Sequence, residues 1–313
     1  MPKVSVIIPS RNEQFLPATV QDVLSKARGD IEVIAILDGY WPEPALPENP
    51  RLKLVHFDEA RGMRPGINAG AAIATGDYLL KLDAHCMVAE GFDVTLTETV
   101  EDDWVVVPRR YSLDPHNWAI QNTGKSPVDA HFLSYPFQLD KPGHGLHGTV
   151  WRDRARGRQD ILLDDEMSSQ GSCWFSSKKH WERVLGPMNN RGYGNFVQEF
   201  QEIGMKTWLS GGRVVCNKST WYAHLHKGKE FGRGYFISKR EMSDGAKYCV
   251  DFWMNNRWDS PLRVHDMKWF IEKFWPVPGW PTNADGTLNW APVEENSLKF
   301  AEEYKKGILV MGI

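Results

Sequence analysis

The chain has 313 residues, of which 42% are hydrophobic and 25% charged, and its formal net charge is −3. This length corresponds to one large domain or about two ordinary ones, and the composition excludes disordered and fibrous proteins. Because 37 basic side chains are balanced by 40 acidic ones, the charge excludes a globally basic nucleic-acid-binding protein. No apolar run reaches the roughly 18 residues of a membrane helix, so we expect no membrane partner.

The four cysteines lie far apart, at positions 86, 173, 216 and 249. This spacing is typical neither of a zinc ribbon nor of a disulfide scaffold, and it favours a reducing compartment. The chain also enters a strand-like run directly after its first three residues, without the pattern of a signal peptide. We therefore expect a cytoplasmic protein, either in a bacterium or, for a viral protein, in the host cytoplasm.

Strand-like and helix-like segments alternate through the first hundred residues. A continuous apolar run, typical of a strand buried on both faces, predicts a strand at 4–9, and further strands are predicted at 31–37, 52–57 and 77–82. Apolar residues at helical spacing predict helices at 14–28 and 65–75, each ending at a glycine. This order predicts an α/β fold whose sheet is mostly parallel, with helices on both faces. In such sheets ligands bind beyond the carboxyl ends of the strands, where Arg11, Asp38 and Asp83 lie.

The pattern is less regular in the rest of the chain. It predicts a strand at 104–108, long loops at 111–169, an ordered segment at 172–175, helices near 178–185 and 195–205, a strand near 213–216 and a helix at 263–274. The histidines of the long loops, His131, His144 and His147, have no interpretable spacing. Five tryptophans follow Trp253. Since tryptophans pack in cores but also stack on sugars and bases, this tail either stabilises the fold or helps to form the acceptor cleft.

Asp83 and His85 lie two residues apart, directly after a predicted buried strand. A carboxylate oxygen combined with an imidazole nitrogen suits Mn²⁺ or a similar first-row metal better than Ca²⁺. A metal at this position would neutralise a diphosphate and stabilise it as a leaving group. The competing interpretation is an aspartate cap beside a surface histidine, because a short motif is weak evidence by itself.

Several segments together resemble the GT-A glycosyltransferases. VSVIIPSRNE, IEVIAILDG and GAAIATGDYLLKLDAHC are similar to their nucleotide-sugar half, and the first of these segments are shared with family 2 glycosyltransferases. The DAHC motif, the segment EFQEIGMKTWLSGG and a histidine twelve residues beyond Gly212 are similar to the polypeptide N-acetylgalactosaminyltransferases. The resemblance covers roughly residues 4–254. It implies a GT-A catalytic domain at 1–254, with a nucleotide-sugar half (1–110) and an acceptor half (111–254), followed by a tryptophan-rich extension at 255–313.

The resemblance implies a metal-dependent transfer of a hexose or N-acetylhexosamine from a UDP-sugar to an acceptor hydroxyl, with retention of anomeric configuration. Asp83, His85 and His224 would hold Mn²⁺ or another divalent metal such as Mg²⁺, with His226 as a rival of His224. An inverting family 2-type transferase that acts on a polysaccharide is one alternative, and a non-catalytic protein that only binds nucleotide-sugars is another. A nucleotidyltransferase is disfavoured because VIIPSRNE lacks the glycine-rich loop that would bind a triphosphate.

The same resemblance implies roles for residues at the nucleotide. Asp38 would hydrogen-bond the uracil, and Pro9 and Arg11 would line the pocket for the base and the ribose. Arg61 would lie near the nucleotide, but the loop is one residue shorter than in the family, so Arg64 competes for this role.

At the sugar, Lys227 would face the pyrophosphate, Phe196 would lie beside the sugar and Glu199 would contact the sugar hydroxyls. Asp83, Glu199 and Lys227 are therefore the predicted catalytic residues, and Glu199 would be the general base of an inverting reaction. Glu202 lies one helical turn from Glu199, and only Glu199 is expected to face the sugar. The WGGEN of the family is replaced here by FVQEF, so the resemblance does not determine the sugar.

The acceptor side is implied more weakly, by Gly171, Ser172, Trp174 and Arg156. The acceptor is expected to be a glycan, a protein hydroxyl, a small metabolite or, as for a phage-type enzyme, a hydroxymethylated DNA base. Basic stretches at 152–158 and 227–240 favour DNA, whereas the net charge gives it no support. The sequence makes no prediction of the oligomeric state.

Overall fold

The computed structural model describes residues 2–122, 124, 126–137 and 145–307. The first half contains β1 (Lys3–Ser10), α1 (Leu16–Lys26), β2 (Asp30–Asp38), β3 (Leu52–Phe57), α2 (Met63–Ile73), β4 (Tyr78–Leu82), β5 (Cys86–Val88), α3 (Phe92–Thr99), β6 (Trp104–Asp114), β7 (Ala119–Ile120) and β8 (His131–Leu133). The second half contains β9 (Gly148–Val150), α4 (Arg152–Arg156), β10 (Leu163–Asp165), β11 (Cys173–Ser177), α5 (Lys178–His180) with a following π-helical turn (Trp181–Leu185), α6 (Glu199–Leu209), β12 (Arg213–His224), α7 (Gly228–Phe231), α8 (Lys239–Met254), α9 (Met267–Lys273) and α10 (Ala291–Lys305).

One large sheet organises the molecule. Its strands follow the order β10-β12-β6-β11-β4-β1-β2-β3, with β5 paired to β12 and β7 paired to β6. The pairings β4–β1, β1–β2, β2–β3 and β6–β12 are parallel, and they include the longest in the sheet. The antiparallel strand β11 lies between β4 and β6 and joins the two parallel groups. The predicted α/β fold with a mostly parallel sheet is confirmed.

The centre of the sheet is buried on both faces. From Ile31 to Asp38 every residue of β2 is buried, although successive side chains point to opposite faces of a strand. Helices therefore cover both faces, as the continuous apolar run predicts. Helix α2 lies very close to the sheet: a Cβ atom on Gly70 would lie 2.5 Å from Ile7 Cγ2, so only glycine fits there.

The second half of the chain has more regular structure than the sequence predicts. Strand β6 continues to Asp114, beyond the predicted end at 108, and β12 continues to His224, beyond the predicted end at 216. The register of β12 shifts between Asn217 and Trp221, where polar residues interrupt the apolar pattern. The region 111–169 contains four short strands and helix α4 in addition to loops, and β5, α3, α7 and α10 were not predicted.

The tail beyond residue 254 packs onto the rest of the protein. Helix α9 contacts α6, helix α10 contacts α8, and Trp208 packs against Phe270 and Phe274. The indole of Trp280 donates a hydrogen bond of 2.8 Å to Leu133 O. The boundary at 254/255 stays a prediction, and residues 308–313 lie outside the described part of the chain. Within that described part, no helix is both long enough and apolar enough to span a bilayer.

Candidate active site

A cleft of about 780 Å³ lies at the edge of the sheet where β1, β2 and β4 end. Its lining includes one residue from the end of each of these strands: Pro9 of β1, Asp38 of β2 and Asp83, which directly follows β4. The start of α6 and the segment 224–242, which begins at the end of β12, also line the cleft. Parallel strands end at the same edge of a sheet, which is why residues distant in sequence meet here.

Asp83, His85 and His224 form a compact group within this cleft, and their ligand atoms all lie within 4.8 Å of one another. The Nε2 atom of His224 is 3.3 Å from Asp83 Oδ2, and that of His85 is 4.0 Å from the same oxygen. The pairing of β5 with β12 brings the two histidines together, since Leu225 N donates to His85 O at 3.1 Å. His226 packs edge-on against His224 but does not belong to this group of the described residues.

Neighbouring charged side chains orient Asp83 and His85. Lys81 Nζ donates to Asp83 Oδ1 at 2.6 Å, which leaves Oδ2 facing the histidines. Glu13 Oε2 lies 3.1 Å from His85 Nδ1, which leaves Nε2 facing Asp83. The remaining nitrogen of His224, Nδ1, is buried and has no hydrogen-bond partner among the described residues. One carboxylate oxygen and two imidazole nitrogens thus converge, a donor set that fits a first-row divalent metal.

The protonation states also fit a metal ligand set. Burial lowers the pKa of His224 to about 3, so its imidazole is neutral at physiological pH. Burial alone would raise the pKa of Asp83, but the Lys81 ammonium and the two histidines outweigh it and hold that pKa far below its usual range. A metal needs an ionised carboxylate and a neutral imidazole, and both forms are present at pH 7.

Lys81 is a site residue that sequence reasoning missed. Its side chain is fully buried, and its ammonium bonds Asp83, Glu199 Oε2 at 3.1 Å and the carbonyl of Gly171. Burial opposes the charged form, yet the two carboxylates raise the pKa of Lys81 above its usual range, so the ammonium stays charged. The signal was a single lysine inside the buried strand YLLKL, since lysine is almost never fully buried unless paired.

Glu199 begins α6 and is held from two sides. Its Oε1 accepts a hydrogen bond of 2.7 Å from Trp174 Nε1, and its Oε2 accepts from Lys81. Burial raises the pKa of Glu199. A Cβ atom on Gly171 would lie 2.6 Å from Glu199 Oε2, so this close approach requires glycine at position 171.

Two of the predicted acceptor-side residues need correction. Trp174 is fully buried and stacks on Trp181, so it supports Glu199 and does not contact an acceptor. Arg156 is exposed on α4, pairs with Asp153 at 3.2 Å and does not line the cleft. The other two predicted residues, Gly171 and Ser172, do line it.

At the nucleotide end, Asp38 holds the loop that follows β3. Its two carboxylate oxygens accept hydrogen bonds from the backbone N–H groups of Arg61 and Gly62, at 2.5 and 3.0 Å. The guanidinium of Arg61 lies 4.7 Å from the ring centroid of Phe57, and Arg61 lines the cleft, as Asp38 does. The structure therefore gives Asp38 a structural task in addition to the predicted contact with a base.

Arg64 is a further correction. Its guanidinium is fully buried, bonds the carboxylate of Glu202 and the carbonyl oxygens of Asn189 and Val197, and lies 4.2 Å from the ring centroid of Tyr193. It points beneath α6 and does not line the cleft, so of the two competing arginines only Arg61 can meet a ligand there.

The wall formed by the segment 224–242 carries cations and aromatic rings. Lys227 forms an ion pair with Glu13, a cleft residue that sequence reasoning also missed. The guanidinium of Arg233 lies 5.1 Å from the ring centroid of Phe196. The guanidinium of Arg11 lies at the same distance from the ring centroid of Tyr235. The lining of the cleft thus combines residues that the sequence predicted with residues that it did not: Arg11, Phe196 and Lys227 with Glu13, Arg233 and Tyr235.

The loop histidines are scattered. His147 lines the cleft, whereas His131 pairs with Glu166 at 2.8 Å and does not line it. His144 lies outside the described residues.

The sequence profile of glycosyl transferase family 2 matches residues 5–162. The chain belongs to this family. It is 22% identical to polypeptide N-acetylgalactosaminyltransferase 5 of Caenorhabditis elegans, over 89% of this chain and 50% of that protein. It is also 22% identical to polypeptide N-acetylgalactosaminyltransferase 12 of Homo sapiens, over 91% of this chain and 53% of that protein. The chain thus spans about half the length of the curated relatives it matches.

The crystal structure of GalNAc-T7 with UDP, GalNAc and Mn²⁺ has a similar fold, with a TM-score of 0.61 at 16% sequence identity. The similarity covers 98% of this chain and 56% of that chain. At this identity the likeness shows the fold. Together with the family match it confirms the predicted resemblance and the GT-A architecture.

Proposed function

We propose that the protein transfers a sugar from a UDP-sugar to an acceptor hydroxyl, and that the reaction depends on Mn²⁺ or another divalent metal such as Mg²⁺. The observation that carries the proposal is the convergence of Asp83, His85 and His224 in a cleft at the ends of β1, β2 and β4. The family match and a structural neighbour solved with UDP, GalNAc and Mn²⁺ support the reaction class, the donor and the metal.

In this proposal the metal, when bound, acts as a Lewis acid that stabilises the negative charge of the departing diphosphate. The side chain of Lys227, which is held in place by an ion pair with Glu13, adds a positive charge in the same cleft. Lys81 keeps Asp83 ionised and fixes which of its oxygens faces the histidines. These groups lower the barrier by stabilising the leaving group and by positioning the reactants.

We propose that Glu199 positions the sugar and does not act as the general base. Both of its oxygens accept hydrogen bonds, and its side chain is almost completely buried, which favours a fixed role. A retaining reaction needs no such base, because attack occurs on the face that the leaving group occupies. NMR of the product should therefore show an α-anomer from an α-donor, and a β-anomer would contradict this part of the proposal.

For the acceptor we propose a hydroxyl compound, and the structure weakens the argument for DNA. Arg158 bonds the carboxylate of Asp164, Arg154 donates to the carbonyl of Asp165, and Arg156 pairs with a neighbouring aspartate. These arginines are thus engaged within the protein. Transfer to hydroxymethylated DNA that falls steeply with rising salt would restore the DNA hypothesis, whereas transfer only to glycan or peptide hydroxyls would remove it.

We also propose a reducing, cytoplasmic location, because all four cysteines are free and buried. Labelling the thiols of the protein, denatured directly from cell extracts, should count four reactive thiols. Oxidised cysteines in that assay would contradict the proposal.

The direct test is release of UDP from a panel of UDP-sugars with and without Mn²⁺, for the wild type, Asp83→Asn and Asp153→Asn. Asp153 is exposed on α4 and serves as the matched control. We expect Asp83→Asn to lose about 100-fold or more of the metal-dependent rate, the size of effect that follows loss of a group stabilising transition-state charge. Normal turnover by Asp83→Asn would contradict the metal role. Metal-dependent binding of UDP-sugars without any turnover would favour a non-catalytic binding protein.

A further inference from the structure

Gln198, the residue before α6, has an unusual backbone. Its φ is +59° and its ψ is 30°, the left-handed region that L-residues other than asparagine and aspartate rarely occupy. Glycine would adopt this conformation without steric cost. Strained backbone positions of this kind cluster at ligand sites, which makes the contacts of the Gln198 side chain informative.

The side chain of Gln198 lies in the wall of the cleft and is more than nine-tenths buried. Its Nε2 lies 2.9 Å from Nδ1 of His147, whereas its Oε1 is buried and has no hydrogen-bond partner among the described residues. Buried polar atoms in native proteins nearly always have a partner, and each exception calls for an explanation. A ligand in the cleft would provide the missing partner.

The position of Gln198 indicates which part of a ligand this is. Its neighbour Glu199 shares Lys81 with Asp83, so this wall continues directly into the metal-binding group. In a UDP-sugar the group attached to the diphosphate, on the side away from the nucleoside, is the sugar. A sugar hydroxyl both donates and accepts hydrogen bonds, so it suits the unpaired atom whichever way the carboxamide is turned.

We infer that Gln198 is a specificity-determining residue whose carboxamide hydrogen-bonds one hydroxyl of the transferred sugar. This inference rests on the proposed function. A site built to pair with a hydroxyl rejects the analogue that lacks it, because the buried polar atom is then left unpaired. A glycine at position 198 would relieve the backbone but would have no carboxamide.

Two substitutions separate the hydrogen bond from the backbone. Gln198→Met keeps the length of the side chain and the strained backbone but removes both polar atoms. Gln198→Gly removes the side chain and relieves the backbone. Asn256→Gly is the matched control, because Asn256 also has a positive φ, of 50°, and lies outside the cleft at the end of α8. Asn256→Gly is expected to be at least as thermally stable as the wild type, whereas Gln198→Gly gains the relaxed backbone and loses the contacts of a buried side chain.

The experiment measures kcat/KM with Mn²⁺ for UDP-glucose, UDP-galactose and their N-acetylated forms, and then for the 2-, 3-, 4- and 6-deoxy forms of the best donor. For the wild type and Asn256→Gly we expect one deoxy donor to lose about 10-fold or more relative to its parent. For Gln198→Met and Gln198→Gly we expect that loss to shrink to about 2-fold while the other deoxy positions keep their effects.

The possible outcomes test the role of Gln198 separately from the proposed transfer of a sugar. A wild type that turns over a UDP-sugar, with Gln198 variants that keep its pattern of deoxy effects, would overturn the inference and leave the proposed function standing. Discrimination lost in Gln198→Gly but kept in Gln198→Met would also overturn it, because shape and not a hydrogen bond would then select the sugar. A wild type that turns over none of the donors would contradict the proposed function and the inference together.

Discussion

The edge of the sheet that forms the cleft buries charged side chains, whereas the C-terminal tail, residues 255–307, buries aromatic ones. At the cleft, Lys81 and Glu199 are almost fully enclosed, and both are held by ion pairs and hydrogen bonds. In the tail, Phe270, Phe274 and Trp280 are enclosed to a similar degree by neutral packing. Burying a charge costs free energy unless it is well paired, so buried charge is expected where chemistry needs it.

The tryptophan-rich tail could either stabilise the fold or help to form the acceptor cleft. Among the described residues, those lining the cleft end at Met242, and no residue of the tail takes part. Its aromatic rings pack against α6 and against the loop region near Leu133 instead. We therefore expect the tail to stabilise the fold, and four experiments test its contrast with the cleft.

The largest effect is expected at the buried cation. Lys81→Met would leave the buried carboxylate of Glu199 and the partly exposed one of Asp83 without their shared partner. Breaking a buried ion pair by removing one member typically costs about 3–5 kcal/mol of unfolding free energy, and we expect a loss of that size in urea unfolding at pH 7. Lys179→Met is the control, because Lys179 and its partner Asp102 are both exposed, and it should change stability by less than about 1 kcal/mol. A Lys81→Met protein as stable as the wild type would show that the cleft tolerates unpaired charge.

A second experiment tests the tail. Trp280→Ala removes a buried indole that packs against Tyr135 and hydrogen-bonds Leu133 O. We expect a loss of about 3 kcal/mol in unfolding free energy, typical of large-to-small substitutions of buried aromatic residues. The kcat/KM of the folded variant for UDP-sugar hydrolysis should stay within about 2-fold, since the tail lies outside the cleft.

The control for that experiment is Trp41→Ala, because Trp41 is 65% exposed. It should cost less than about 1 kcal/mol. A Trp280→Ala protein that stays folded but loses acceptor or donor turnover would mean that the tail contributes to the site.

The sequence predicted the sheet better than it predicted the site. The strands β1 and β2 are mostly apolar and almost entirely buried, and such runs are informative because both faces of the sheet are covered there. Asp83 and His85 lie only two residues apart in the sequence, so they could be recognised as a pair. His224 was found only through the resemblance, because β12 carries it there across a polar register shift that breaks the apolar pattern.

The residues that support the ligand set could not be predicted in the same way. Glu13 lies in the polar segment SRNEQF, and its importance depends on His85 and Lys227, which are distant in sequence. Arg61 and Arg64 lie three residues apart, and only the packing of α2 beneath α6 decides that Arg64 points inward. Pairwise tertiary contacts of this kind leave no local pattern in a single sequence.

A third experiment concerns this supporting shell. Glu13→Gln keeps the size of the side chain but removes the negative charge that fixes His85 and Lys227. Loss of a partner that orients a metal ligand typically weakens metal binding 10–100-fold, and we expect a rise of about 10-fold in the Mn²⁺ dissociation constant measured by EPR. Glu90→Gln, at an exposed ion pair with Arg28, is the control and should leave the constant unchanged. Equal affinities for Glu13→Gln and wild type would restrict Glu13 to a structural role.

The smallest effect is expected at Glu166 and His131, a titratable pair buried away from the cleft. Burial raises the pKa of Glu166 well above 4.5, whereas burial and the nearby Arg110 lower the pKa of its partner His131 to about 3. Because the folded-state pKa of Glu166 is raised, its contribution to stability is complete below pH 4.5 and is lost as the pH rises through the folded-state value.

Glu166→Gln, whose amide does not titrate, should therefore match the wild type at pH 4 and exceed its melting temperature by about 2 °C, on the order of 1 kcal/mol, at pH 8. Calorimetry of both proteins across this range checks the prediction, with the exposed Glu182→Gln as the control that should follow the wild type. A Glu166→Gln profile parallel to that of the wild type would mean that Glu166 is ionised in the native state. Glu166 would then be a further charge buried away from the cleft, like those of Arg64 and Glu202.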